Sequence, residues 1–311
     1  MKDIIEVSHL CKNYGIISAI KDISFRVKKG SSFALLGKSN AGKSTIINIL
    51  STLMRQHKGE AYLNGYILGE DDANIRQSIG IVFARENLDA LLSVEESLYI
   101  YGACHQMNQE QITKRIEKLI KLTKCTEFFR YPYRKLSKKE QRQADFTKAL
   151  IHKPQILLLD EPTKNLEFRE RAELWNILHQ IKTQTGITIL WTSCHGEEAE
   201  RADRVALLHR GQIISKGTPN SLKNKYAKDQ LKIHGPSNKL VKYLKHHQVP
   251  FRLNHSVLSI SIQSSSNAED VIELLTRIQG DIEDFEITQD SLEDILLQFA
   301  RKENAHESSY H

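Results

Sequence analysis

Cysteine is scarce in this 311-residue chain. The four residues, Cys11, Cys104, Cys125 and Cys194, show neither metal-ligand spacing nor a disulfide pattern. No apolar run approaches the roughly 20 residues that span a bilayer. The opening segment from Met1 to Leu10 lacks the longer apolar core of a signal peptide. There is no internal repeat and no basic-aromatic face of the kind that binds RNA. These absences argue against a membrane-spanning or secreted protein and point to the cytosol. Charge of one sign is also missing. The net charge is +6, but 44 basic residues are scattered among 38 acidic ones, which reads as a solvated mixed surface rather than a nucleic-acid or membrane footprint.

What is present is ordinary in bulk and specific in one place. Hydrophobic residues make up 40% and charged residues 26%, as in soluble globular proteins, and the length allows two domains. The specific place is Gly37–Thr45, Gly-Lys-Ser-Asn-Ala-Gly-Lys-Ser-Thr. Gly37, Gly42, Lys43 and Ser44 match the phosphate-loop pattern Gly-x-x-x-x-Gly-Lys-Ser/Thr. The apolar run Phe33–Leu36 before it reads as a buried strand, and Ile46–Leu50 after it as a helix. A phosphate needs many N–H donors, little side-chain bulk and positive potential. Glycines let the backbone close around it, and a helix N-terminus adds partial positive charge. Lys43 is expected to reach the β- and γ-phosphates, and Ser44 to hold Mg²⁺.

Strand signals at Ile4–Val7, Ile23–Val27, Phe33–Leu36, Glu60–Leu63 and Ile79–Phe83 precede a helical stretch from about 93 to 153. Asn64-Gly65 is a turn signal. In the helical stretch Ile112, Ile116, Leu119 and Ile120 share one face. Strand signals return at Ile156–Leu159, Ile187–Leu190, Val205–Leu208 and Gln212–Ser215. The alternation predicts an α/β phosphate-loop NTPase domain with a parallel sheet over residues 1–221, interrupted by a helical subdomain at about 85–153. Residues 222–302 alternate on a smaller scale. Strands are expected at Gln230–His234, Phe251–Leu253, Val257–Ile262 and Ile282–Ile287, and helices at Asn238–Gln248, Glu269–Gln279 and Ser291–Arg301. That is a small C-terminal α+β domain of ferredoxin-like type. Residues 303–311 read as a frayed tail.

A second site signal is Ile156-Leu157-Leu158-Leu159-Asp160-Glu161, an apolar strand ending in two acids. In phosphate-loop hydrolases the strand acid supports Mg²⁺, a role that suits Asp160. Glu161 is then the candidate catalytic carboxylate, able to orient or deprotonate a water. A helix N-cap acid pair before Pro162 is the structural alternative, compatible with the first.

With these pieces in order, residues 1–220 resemble the ATP-binding subunits of ABC transporters. The resemblance rests on Tyr14-Gly15, the 37–45 loop, Ile79–Phe83, Leu136–Leu150, Leu157–Glu167 and Glu197–Pro219. Within that family the chain is most similar to the ABC-2, daunorubicin-resistance type of exporter subunit, some of which carry an extension like 222–302. The resemblance implies ATP and Mg²⁺ as ligands. It implies that Gly37, Lys38, Ser39, Asn40, Ala41, Gly42, Lys43, Ser44 and Thr45 surround the phosphates. Ser44 and Asp160 would serve the metal, Glu161 and Lys43 catalysis, and Ser137 the γ-phosphate of an opposite subunit. Tyr14 matches the aromatic that stacks on adenine, or is a strand-edge core tyrosine.

Four sites depart from the family pattern in ways that bear on the mechanism. The glutamine expected after Ile79–Phe83 is Ala84, followed by Arg85 and Glu86, either of which could substitute or simply be solvated. The signature loop, normally Leu-Ser-Gly-Gly-Gln, is Leu136-Ser137-Lys138-Lys139-Glu140. Its lysines could compensate in charge, but an aimed backbone donor is not replaced by a flexible ammonium. The switch histidine aligns with Cys194, a weak donor, with His195 next to it facing the other way on an extended segment. The loop after the acids is Asn165-Leu166-Glu167 in place of Gly-Leu-Asp. Asn40 replaces a loop glycine, and Asn tolerates a left-handed backbone.

The expected function is thus an ATP-binding exporter subunit with attenuated hydrolysis. It would be cytoplasmic and peripheral on the inner face of the cell membrane. It would need a separate transmembrane permease subunit and a second ATP-binding subunit, as a homodimer or as the degenerate half of a heterodimer. No nucleic-acid partner is expected. The alternative is a non-motor ATP-sensing module with negligible turnover.

Overall fold

The computed structural model describes residues 2–85, 88–236, 238–246, 251–254, 257–262 and 284–299. It forms two compact units, Met1–Thr218 and Pro219–His311.

The first unit opens with a long hairpin, β1 (Asp3–Tyr14) and β2 (Ile17–Lys28). The sequence signals Ile4–Val7 and Ile23–Val27 are its buried open end, since the halves toward the turn carry polar and exposed residues that hide the strand pattern. β3 (Ser32–Gly37) is buried throughout and feeds the phosphate loop and α1 (Lys43–Leu50). β4 (Lys58–Leu63) and β5 (Tyr66–Ile67) form a hairpin whose turn, Asn64-Gly65, has both residues at positive φ, as its sequence foretells. A short helix, α2 (Asp72–Ser78), leads to β6 (Ile79–Val82). The helical subdomain contains α3 (Val94–Cys104), α4 (Gln109–Leu122) and α5 (Lys138–Ala149). Then follow β7 (Ile156–Asp160), α6 (Phe168–Thr185), β8 (Thr188–Ser193), α7 (Gly196–Ala199), β9 (Arg204–His209) and β10 (Gln212–Gly217).

Two sheets result. One is antiparallel, in the order β2-β1-β4-β5. The other runs β10-β9-β3-β8-β7-β6 and is parallel except for the β9–β10 hairpin at its edge. The parallel sheet is the predicted one; the antiparallel sheet beside it is not separable in the sequence. Ile5, Val7, Ile20 and Phe25 of the hairpin pack in one core with Ile46, Ile47 and Leu50 of α1 and with Leu158 and Leu208 of the parallel sheet. At roughly 25 cal/mol per Å² of apolar surface removed from water, each such side chain contributes about 1.5–3 kcal/mol. The consequence for function is positional. β3, β6, β7 and β8 run parallel, so their carboxyl ends, where ligands bind in open α/β sheets, gather on one side.

The second unit begins with α8 (Pro219–Tyr226) and has a four-stranded antiparallel sheet. Its strands are β11 (Asp229–His234), β12 (Phe251–Asn254), β13 (Val257–Ile262) and β14 (Asp284–Gln289), ordered β12-β13-β11-β14. Helix α9 (Asn238–His246) crosses over between β11 and β12, and a last helix runs over 292–299. This strand order is the ferredoxin-like one. Leu231, Ile233, Leu258 and Ile260 of the sheet and Leu240 and Leu244 of α9 form its core. Ser291 and Asp294 cap the last helix reciprocally, at 3.2 Å from the Ser291 N–H to Asp294 and 3.2 Å from the Asp294 N–H to Ser291. The predicted helix Glu269–Gln279 with its stop at Gly280, the ends of the predicted elements at 247–248, 282–283 and 300–301, the tail, and Glu86 lie outside the described residues.

Candidate functional site

The phosphate loop is held open by sterics that only its own residues satisfy. Gly42 caps α1 at φ 101, and a Cβ there would lie 2.7 Å from the Ala19 carbonyl. A Cβ on Gly37 would lie 2.6 Å from the Leu208 carbonyl. Asn40 takes the left-handed backbone, at φ 64, that its side chain tolerates. α1 has no side-chain cap and no acid in its first turn, so its N–H groups and positive dipole end face the loop.

Lys43 is buried, at 4% exposure, and its ammonium donates to the Gly37 carbonyl at 2.7 Å and the Lys38 carbonyl at 2.9 Å. It also lies 3.2 Å from Glu161 Oε1. Ser44 Oγ donates to Asp160 Oδ1 at 3.1 Å. Thr192 Oγ1, from β8, donates to the same oxygen at 2.7 Å and accepts from the Glu161 N–H at 2.9 Å. The two motifs therefore meet although 116 residues separate Ser44 from Asp160. Two adjacent oxygens, Ser44 Oγ and Asp160 Oδ1, suit a hard divalent cation.

Glu161 sits at φ 44, and its second oxygen, Oε2, lies 2.8 Å from Lys164 Nζ. Burial pushes the Glu161 carboxyl up, but hydrogen bonds and charge from Lys164 and Lys43 outweigh it and hold the group below the usual glutamate range. Lys164 is raised, chiefly by its hydrogen bond to Glu161. Both shifts describe one ion pair favouring the charged forms.

A cleft of about 500 Å³ opens over this group. Ser39, Asn40, Gly42, Lys43, Ser44, Thr45 and Glu161 line it, while Gly37 and Lys38 shape it through their carbonyls and Ala41 through its N–H bond to Lys38, at 3.2 Å. Asp160 lies beneath, reached through Ser44. Tyr14 is not among the lining residues. It is half-exposed, its hydroxyl meets Met54 Sδ at 3.0 Å, and its strand partner Ile17 lines the cleft instead. Lys21, Lys164 and Arg210 also line the cleft, and no motif in the sequence marks them. Lys164 stands in the sequence as a cation three residues after Glu161, but loop geometry alone brings the two together.

Of the altered catalytic positions, Ala84 lies on this cleft, and Cys194 is not among its lining residues. Ala84 lines the cleft with a methyl group, and its carbonyl is bound by Arg142 Nη2 at 2.5 Å. Arg142 also takes the Phe83 carbonyl at 2.6 Å and Asp145 at 3.3 Å, so α5 is tied to the segment after β6 by a buried guanidinium that no sequence pattern signals. Cys194 is partly buried, and burial and the Glu161 charge push its thiol up. His195 is exposed.

Ser137 lies at the N-terminus of α5, away from the loop's lining residues. Its Oγ accepts from the Glu140 N–H at 3.3 Å, and Glu140 Oε2 accepts from the Ser137 N–H at 2.7 Å. Ser-x-x-Glu is a capping box, and that spacing is visible in the sequence. Lys139 Nζ is paired with Glu173 of α6 at 2.8 Å.

Comparisons with known proteins agree with this geometry. Residues 20–164 match the family model "ABC transporter", and residues 217–300 match the "ATP-binding protein DrrA1-3-like, C-terminal domain". The chain is 32% identical over 228 residues to the linearmycin resistance ATP-binding protein LnrL of Bacillus subtilis (strain 168), covering 73% of each chain. It is 34% identical over 222 residues to the doxorubicin resistance ATP-binding protein DrrA of Mycobacterium tuberculosis, covering 70% of this chain and 67% of that one. Among solved structures, a dimeric ATP-binding cassette in a post-hydrolysis state, bound to ADP and Pi, superposes with a TM-score of 0.63 at 25% identity, covering 69% of this chain and 98% of that one. The chain thus belongs to the ATP-binding subunits of ABC transporters, in the drug-resistance exporter group of LnrL and DrrA, and its first unit is an ABC-type ATPase.

Proposed function

We propose that the cleft over Gly37–Thr45 binds Mg-ATP, with attenuated turnover, in a subunit that drives a separate membrane permease. Lys43 and the loop N–H groups take the β- and γ-phosphates. Ser44 and Asp160 hold Mg²⁺, which when bound supplies charge neutralisation at the phosphates. Glu161 orients or deprotonates the attacking water. Tyr14, at the hairpin end beside the cleft mouth, is the candidate for the adenine face. No helix among the described residues is long and apolar enough to cross a membrane, which supports a permease on another chain. The chain then acts at the cytoplasmic face, held there by that permease. Both named relatives are resistance proteins, which supports a drug-like or natural-product cargo.

One contrast carries the reading. Lys43, Ser44, Asp160 and Glu161 converge within 3.2 Å contacts, while Ala84 on the cleft and Cys194, whose thiol feels the Glu161 charge, offer no strong donor. Losing one aimed catalytic group costs on the order of 10²–10³ in rate. Binding therefore survives better than turnover. In a composite dimer this chain would receive a better signature than it returns, which favours a heterodimer with unequal sites. The Glu140 carboxylate in the first turn of α5, where the family pattern has a neutral glutamine, favours, as a second reading, a module that senses ATP with negligible turnover even beside its partners.

The test is nucleotide affinity and steady-state hydrolysis for the chain alone and with its permease and second ATP-binding subunit. Trp175 and Trp191, the chain's two tryptophans, pack with tilted rings 5.0 Å apart next to Thr192, so intrinsic fluorescence reports binding. Mg-ATP should bind, hydrolysis should be slow in the isolated chain, and Glu161→Gln should abolish it while sparing binding. Robust Glu161-dependent turnover by the isolated homodimer would sink the attenuated-site reading. No Mg-ATP binding would sink the function as proposed.

A further inference from the structure

We propose that Lys164 is the positioning residue of this ATPase: it anchors the far oxygen of Glu161 so that the near one faces the terminal phosphate. The inference rests on the reading of Glu161 given above.

The geometry assigns the two carboxylate oxygens to different partners. Oε1 faces Lys43 at 3.2 Å, and Oε2 faces Lys164 at 2.8 Å. Lys43 belongs to the phosphate loop. When a nucleotide's phosphates recruit its ammonium, Oε1 is released on the side where those phosphates lie. A water between Oε1 and the phosphate can then donate a proton to Oε1. Oε2 keeps its partner, because Lys164 belongs to another segment and its backbone is fixed. The Lys164 N–H donates to the Glu161 carbonyl at 3.1 Å, and the Glu161 N–H donates to Thr192 at 2.9 Å. Thr163 Oγ1, between them in sequence, donates to buried Glu198 at 2.5 Å. The turn 161–164 is thus pinned to β8 and α7, and the Lys164 side chain starts from a fixed point. A base held by a third group is the general arrangement for an activated water or nucleophile. Ala84, with only a methyl, and Cys194, with a weakly donating thiol, are poorly suited to be that third group, whereas an ammonium suits it well. Lys164 also lines the neighbouring cavity of about 450 Å³, so its stem has room without filling the nucleotide cleft.

The experiment is steady-state ATP hydrolysis by the full chain carrying Lys164→Met, Lys164→Arg, Glu161→Gln or Glu161→Gln with Lys164→Met, with ATP affinity read by tryptophan fluorescence. Lys164→Met should lower kcat about tenfold, the lower end for losing a partner that orients a site group, and leave KM and ATP affinity within about twofold. Lys164→Arg should restore most of kcat. In the Glu161→Gln background, where hydrolysis is already lost, Lys164→Met should leave ATP affinity within about twofold. Equal kcat in wild type and Lys164→Met, a higher kcat in Lys164→Met, or a loss confined to KM would overturn the assignment. A parallel double-mutant cycle on thermal unfolding without nucleotide keeps the two readings apart. Non-additivity of the same two substitutions supports the Lys164–Glu161 contact even if Mg-ATP fails to bind, and additivity overturns it.

Discussion

Two helix N-termini in this molecule were both expected to face a phosphate, and they are built in opposite ways. α1 starts at Gly42 with no side-chain cap and no acid in its first turn. α5 starts at Ser137 with a complete capping box, and Glu140 stands in its first turn. A helix N-terminus attracts an anion because its first N–H groups lack partners and its dipole is positive there. At α1 those features are left for a ligand. At α5 they are consumed internally: Glu140 places a carboxylate against the same dipole, and Ser137 Oγ already accepts the Glu140 N–H. The contrast teaches that anion binding at a helix start depends on the cap. The charge of Glu140, where the family pattern has a neutral glutamine at the same capping spacing, gives the altered signature a physical meaning beyond the bulk of Lys138 and Lys139.

The largest effect should come from removing the cation that the open helix presents. Lys43→Met should reduce ATP binding and hydrolysis by on the order of 10² or more, since a charge-assisted contact to the phosphates has no replacement in the loop. Fluorescence titration and a phosphate-release assay measure it. Retained affinity in Lys43→Met would erase the contrast, because α1 would then not be the phosphate end.

A smaller effect, on turnover, should follow from opening α5. Lys138→Gly, Lys139→Gly and Glu140→Gln together restore backbone access and remove the competing carboxylate. With the partner subunit present, hydrolysis should rise by on the order of tenfold, a fraction of what one aimed donor contributes. The gain comes with lower stability, because two glycines in a helix turn cost about 0.5–1 kcal/mol each and the Lys139–Glu173 pair is lost. An unchanged rate in the assembled transporter would mean that the closed cap is not what limits this site.

Much of this was legible in the sequence where local pattern and chemistry coincide. Gly37–Thr45 and Leu157–Glu161 are short, their flanks are fully buried strands, and both end on the same side of one sheet. The antiparallel sheet was not legible as a separate body, because the buried pattern of β1 and β2 is regular only at the open end of their hairpin and gives way toward the turn to exposed residues such as Tyr14 and Ile17. Helix α2 is seven residues with one buried aliphatic, too short for a periodic signal. Within the site, residues that act across sequence distance were missed. Thr192 bridges Asp160 and the Glu161 backbone from β8, and Arg142 ties α5 to Ala84; neither partnership follows from spacing. The capping box at Ser137 was missed for another reason. Ser137–Glu140 aligns with a ligand-gripping loop, and the same Ser-x-x-Glu spacing also specifies an ordinary helix start.

The smallest effect concerns that cap itself. Ser137→Ala removes the acceptor of the Glu140 N–H and should cost about 1 kcal/mol of stability, read as a lower denaturant midpoint at unchanged slope. Ser137→Thr should recover most of it. Glu140→Gln should cost less, since the amide oxygen can still accept the Ser137 N–H while the charge near the dipole is lost. Because the two side chains cap one another, the double variant should cost less than the sum of the single ones. Nucleotide affinity should be the same in all of these, since Ser137 and Glu140 do not line the loop's cleft. If Ser137→Ala instead weakened the chain's own ATP binding without changing stability, Ser137 would be facing a phosphate rather than closing a helix. The two N-termini would then be alike after all.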